Sequence, residues 1–152
     1  MRGDLKLYDP RLRGEIWVCP SVQALLLQYR QAGIFAKEAG GILLGHRRGP
    51  HLEVIEATAP MTGDIRRRHS FERLDPGHQV RASTRWRVSD STILYLGEWH
   101  THPCSKPSPS GVDNREWGKL VRTNEGPLIF IIVGTEFWYV EFGKVSWLMH
   151  FP

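Results

Sequence analysis

Residues 92–113 read Thr-Ile-Leu-Tyr-Leu-Gly-Glu-Trp-His-Thr-His-Pro-Cys-Ser-Lys-Pro-Ser-Pro-Ser-Gly-Val-Asp. The stretch from Thr92 to His102 is rich in β-branched and aromatic residues and stops at Pro103, which predicts a buried strand with two histidines at its end. Side chains alternate along a strand, so His100 and His102 share one face while Trp99 and Thr101 take the other. A Pro/Ser-rich loop follows. Ser110-Gly-Val-Asp113 then has the form of a helix entry, and the helix it opens is predicted to run to about Asn124, closed by Gly126-Pro127.

Working outward, Glu15 to Cys19 predicts a short strand. Pro20-Ser21 then opens an amphipathic helix through Val22, Leu25, Leu26 and Tyr29, ending near Gly33. Ala39–His46 and Leu52–Ala57 predict a hairpin across the Arg47–Pro50 turn. Residues 61–74 read as polar and irregular, and Asp75-Pro76-Gly77 opens a helix to about Ser89. Leu128–Val133, Phe137–Phe142 and Val145–Met149 complete the chain as strands. This alternation of strands and helices points to an α/β layer structure, with residues 1–152 forming one domain.

Hydrophobic residues make up 41% and charged residues 24%, a globular composition that excludes disordered and fibrous classes. The longest apolar run, Leu128 to Gly134, is far short of the ~20 residues of a membrane-crossing helix. The N-terminus lacks a secretory apolar run and there are only two cysteines, so a reducing cytoplasm is the expected setting. Cys19 reads as a buried strand residue and Cys104 as loop filler. Most of Trp86, Trp99, Trp117, Trp138 and Trp147 are expected in the core. His46, His51, His69, His78 and His150 have no partner at ligand spacing. The formal charge of +4 gathers locally at Arg66, Arg67 and Arg68, which reads as a solvated basic loop or, alternatively, as a contact for an acidic protein surface or nucleic acid.

Seven histidines make a chance His-x-His pair common, about one chain in three, so the pair alone carries little. Requiring Asp113 and Ser110 at their spacings lowers the chance below about one in a thousand. Two imidazoles and one carboxylate suit a catalytic zinc, because three protein ligands leave a fourth tetrahedral position for water. Asp113 also suits the first turn of a helix, and the two roles are compatible. Hydrolysis further needs a carboxylate base outside the ligand set. Glu98, two residues before His100, and Glu38, beside a glycine-rich strand, both qualify, and the residues themselves leave that choice open.

Glu38 with Gly40-Gly-Ile-Leu-Leu-Gly45, His100-Thr-His-Pro103 and Ser110-Gly-Val-Asp113 together resemble the JAMM (MPN+) family of zinc metalloproteases. The resemblance implies a single MPN/JAMM domain with a mixed central β-sheet flanked by helices. By the same resemblance His100, His102 and Asp113 bind one zinc ion, Glu38 activates the water and shuttles its proton, and Ser110 supports the oxyanion. Family members cleave the bond after the C-terminal glycine of ubiquitin-like or sulfur-carrier proteins. The chain is most similar to stand-alone bacterial deconjugating members of antiphage operons, whose implied substrate is a nucleotidyltransferase conjugated through its C-terminus. Processing of a sulfur-carrier protein or peptide adduct is the alternative within the family, and a basic nucleic-acid-binding module the alternative outside it.

Overall fold

The computed structural model describes residues 3–151. Its centre is an eight-stranded mixed sheet. In chain order the elements are β1 (Leu5–Leu7), β2 (Ile16–Val18), α1 (Pro20–Gln28), β3 (Gly40–Arg48), β4 (His51–Ala57), β5 (Ile65–Arg67) and β6 (Ser70–Glu72). They continue as α2 (Gly77–Val88), β7 (Leu94–Thr101), α3 (Gly111–Thr123), β8 (Ile129–Val133), β9 (Phe137–Phe142) and β10 (Val145–His150). The sheet order is β1-β2-β4-β3-β7-β8-β9-β10, and β5-β6 form a separate hairpin. Parallel pairing occurs at β2/β4 and β7/β8, and β7, which carries His100 and ends just before His102, lies at the middle of the sheet between β3 and β8. Trp147 Nε1 donates to Tyr8 O at 3.4 Å, which draws the two ends of the curled sheet toward each other.

Both sheet faces are covered, and each strand's side chains divide between them. On one face Val22 and Leu26 of α1 pack with Leu43, Leu96, Trp99, Ile131 and Trp138. On the other, Trp117 of α3 packs on Leu128, Phe130 and Ile132, while Ile42, Leu44 and Ile93 meet Ala82 of α2. Ile131 and Ile132 are both fully buried on opposite faces, which is why β8 reads as an unbroken apolar run. Truncating either to Ala costs roughly 2–5 kcal/mol.

Gly97 sets the side-chain phase of β7. It has φ +150° and a Cβ there would lie 1.7 Å from Ile129 O, so no other residue fits. The register with β3 shifts at this point. Beyond it, Trp99 and Thr101 face the α1 side, leaving Glu98 and His100 toward α3.

Several sequence expectations require correction. Helix α1 stops at Gln28 rather than near Gly33: Tyr29 and Arg30 close it with N–H bonds three residues back, and the Gln31 side chain is taken into a buried polar network. Strand β1 was not anticipated. Residues 61–74, read as irregular, contain the β5–β6 hairpin, so Arg66 and Arg67 lie in a strand and not in a loop. Cys19 is the N-cap of α1, only half-buried, with its Sγ 3.4 Å from Ile55 O. Trp86 is half exposed, whereas Trp99, Trp117 and Trp138 are core residues as expected.

Candidate active site

His100 and His102 leave the end of β7 on the same face, and Asp113 reaches them from the first turn of α3. His100 Nε2 and His102 Nε2 are 3.0 Å apart, and Asp113 Oδ2 is 3.3 and 3.2 Å from them respectively. The turn that delivers Asp113 is fixed by a reciprocal cap. Ser110 Oγ accepts the Asp113 N–H at 3.1 Å, while Asp113 Oδ2 accepts the Ser110 N–H at 2.8 Å. One helical turn further, Trp117 packs 6.0 Å from the His100 ring and stacks on Phe130 at 4.5 Å, holding the imidazole against rotation. His102 N–H donates to Val133 O at 3.0 Å, so the neighbouring strand fixes the second histidine's backbone.

The donor set fits a tetrahedral metal ion. Ligand atoms about 2.0–2.1 Å from such an ion stand about 3.3–3.4 Å from one another, close to all three separations here. Two ring nitrogens and a carboxylate oxygen converging this closely also form a negative focus suited to a divalent cation. Burial alone pushes the Asp113 carboxyl up, but hydrogen bonds from the His100 and His102 rings and from Ser110 outweigh it and hold it well below the usual carboxylate range.

Glu38 comes to the same place from the strand next door. It is only 6% exposed, two residues before β3. Its N–H donates to Arg67 O at 2.8 Å, and Arg66 Nε donates to its carbonyl at 2.8 Å. Gly40 then pairs with His100 in the β3/β7 register, which places the carboxylate beside the ligands. Burial raises the Glu38 carboxyl to about 7, with His102 opposing the shift and the Asp113 charge adding to it. A carboxylate so poised accepts and releases a proton near neutral pH.

Glu98, the other candidate base, shares the His100 face but forms an ion pair with Arg73. Ser110 stands exposed at the helix entry, its oxygen accepting the cap hydrogen bond and its own hydrogen left for another acceptor. Cys104 is exposed beside the site, yet partial burial and the Glu38 charge push its thiol up, away from the thiolate a nucleophile requires.

The residues that hold Glu38 against the histidine strand escaped sequence reading. Thr101 Oγ1 accepts the Ala39 N–H at 3.0 Å and donates to Gln31 Oε1 at 3.0 Å. Gln31 Nε2 in turn donates to Ala36 O at 3.1 Å and Arg68 O at 2.9 Å. A threonine at a core-facing strand position was the available signal. A second buried chain runs from Thr58 Oγ1 to His78 Nδ1 and from His78 Nε2 to Asp64 Oδ2, each 2.7 Å. It fastens the 58–78 excursion, with its β5–β6 hairpin, to the sheet. The Arg66–Arg68 cluster is likewise used internally: Arg66 on Glu38 O, Arg67 on Glu72, and Arg68 on Gly33 O.

The chain is similar to several known proteins. A CD-NTase/cGAS isopeptidase of Pseudomonas aeruginosa is 45% identical over 116 residues, covering 75% of this chain and 73% of that protein. One from Vibrio cholerae is 42% identical over 113 residues, covering 74% and 72%. A probable metalloprotease of Sinorhizobium fredii is 28% identical over 141 residues, covering 89% and 80%. The solution structure of a Desulfitobacterium hafniense protein superposes with TM-score 0.58 at 20% identity, over 88% of each chain, and shares the fold. Residues 20–149 match the family described as prokaryotic homologs of the JAB domain, and the chain belongs to that family.

Proposed function

We propose that the protein is a zinc-dependent isopeptidase that hydrolyses the amide bond joining the C-terminus of a conjugated protein to its target. The observation that carries this reading is the convergence of His100, His102 and Asp113 beside the buried Glu38. When bound by the three ligands, zinc supplies Lewis acidity and lowers the pKa of water toward ~7. Glu38 takes the proton of the attacking water, and the same carboxyl, whose burial favours the protonated form, returns it to the leaving lysine amine. The Ser110 hydroxyl donates to the oxygen on which charge develops, an effect of about 2.7–4 kcal/mol for one such donor.

The relatives' names support a CD-NTase as the conjugated protein, and the family resemblance supports antiphage signalling as the setting of that deconjugation. Purified protein is expected to hold about one zinc per chain, and Glu38→Gln to keep the metal while losing cleavage of a CD-NTase conjugate. Full cleavage by that variant, or a wild type without zinc, refutes the assignment. Processing of a sulfur-carrier protein is separated by offering both substrates side by side. The nucleic-acid reading is weakened by the internal contacts of Arg66, Arg67 and Arg68, and salt-dependent binding to DNA or RNA would be its test.

A further inference from the structure

The loop between α1 and β3 raises two adjacent apolar side chains into solvent. Ile34 is 72% and Phe35 89% exposed, the most exposed large hydrophobic pair on the described surface. Such side chains on a frayed loop would mean little, but this loop is fastened from several sides. Arg68 Nη1 donates to Gly33 O at 3.1 Å, Gln31 Nε2 donates to Ala36 O at 3.1 Å, and the Ala36 N–H returns to Gly33 O at 3.0 Å. Gln31 also binds Thr101, so the support of the apolar tip and the support of Glu38 are one buried network. A rigidly presented aromatic costs little conformational entropy when it binds.

Position and charge identify what it binds. Phe35 is three residues from Glu38, so their backbones are at most about 11 Å apart. A folded protein whose scissile bond sits at the His100–His102–Asp113 centre has its body within reach of this tip. The segment from Arg30 to Lys37 contains no acid, and Arg68 adds a further positive charge beneath it.

We propose that Ile34 and Phe35 form a docking knob for the folded body of the protein whose C-terminal carbonyl is cleaved, received in an apolar depression rimmed by acidic residues. That half of a conjugate is constant while acceptor lysines vary, so a fixed knob beside the catalytic carboxylate suits it. The inference rests on the isopeptidase reading.

Two substrates test it: a CD-NTase joined to a lysine-bearing acceptor protein, and a short peptide with the same C-terminal sequence joined to Nα-acetyl-lysine. Phe35→Ser and Ile34→Ser are expected to lower kcat/KM on the protein conjugate about tenfold, the effect of losing one buried anchor, while leaving the peptide rate within about twofold. Lys37→Glu is expected to lower the protein rate alone, with the deficit shrinking at high salt. Unchanged cleavage of the conjugate, or equal loss on both substrates, overturns the proposal. It is also overturned if the Phe35 substitution instead abolishes sedimentation with phosphatidylglycerol vesicles or dissociates a dimer while the conjugate is cut as before. A wild type that cuts neither substrate refutes the isopeptidase reading itself.

Discussion

The Thr101 hydroxyl accepts the Ala39 N–H at 3.0 Å, tying the residue between the two histidines to the residue that follows Glu38. Thr101 N–H donates to Ala39 O at 2.9 Å, so the two residues are joined twice. The hydroxyl is fully buried and also donates to Gln31, leaving no water to replace it. Glu38 and the two histidines are thereby held in one frame by a single buried hydroxyl.

Thr101→Val should therefore keep the shape of the core and lose the alignment. The Ala39 N–H and Gln31 Oε1 are left unpaired, at a cost of about 1–3 kcal/mol for each buried group. We expect a lower urea midpoint and kcat reduced by about 10- to 100-fold through misplacement of Glu38. Zinc content should remain near wild type, and Thr101→Ser should restore most of the rate. A Val variant with full kcat would show that the strand pairing alone positions the base.

The meeting of His100, His102, Ser110 and Asp113 was legible because one strand end, one short loop and one helix entry hold all four. Alternation places His100 and His102 together, and the helix entry at Ser110 brings Asp113 back to them. Glu38 was different: it lies sixty-two residues before His100, and only the β3/β7 pairing brings it alongside. Residue chemistry left it equal with Glu98, whose pairing with Arg73 is a tertiary event that no spacing reveals. The β5–β6 hairpin was missed for a related reason. Its strands are three residues each and largely exposed, so they carry no apolar alternation. The end of α1 was misplaced because a buried glutamine, not a helix breaker, decides where it stops.

Metal binding should appear as stability. A ligand that binds only the folded state adds about 2.7 kcal/mol at a free concentration of 100 times its Kd. For a domain of this size that raises Tm by about 5–10 °C. His102→Ala removes one of three donors and should abolish the zinc-induced shift in a thermal melt, while the metal-free Tm changes far less. An undiminished shift in that variant would exclude His102 from the ligand set.

The Glu38 carboxyl gives the metal-free protein a distinct pH response. Its folded pKa of about 7 lies above the ordinary 4.5, so between those values the folded state holds its proton more tightly than the unfolded chain. The contribution to stability is full below about 4.5 and is lost as pH rises through about 7. Metal-free wild type should thus lose stability relative to Glu38→Gln on going from pH 5 to pH 7.5, since the histidine titrations common to both proteins largely cancel. A zinc ion beside the carboxyl favours its ionised form and should shrink that difference. Parallel urea curves at both pH values would show that the carboxyl is not desolvated in solution.

The Thr58–His78–Asp64 chain should govern folding and leave the chemistry alone. His78 and Asp64 side chains are completely buried, and Asp64 also accepts the N–H groups of Met61, Leu74 and Asp75. Those backbone bonds help hold its carboxyl below the usual range against the upward push of burial, so the ionised form is the one the fold selects. Asp64→Ala strands three backbone donors and one imidazole together, at a cost of about 1–3 kcal/mol for each buried group left unpaired. Urea unfolding at neutral pH should register that loss, whereas the fraction still folded should bind zinc and cleave substrate at close to the wild-type rate. The chain's hydrogen bonds run to the Ile42, Met61, Leu74 and Asp75 backbone and not to Glu38, His100, His102 or Asp113. A stable Asp64→Ala protein with impaired cleavage would reverse the assignment and make the buried histidine a positioning residue for the active site.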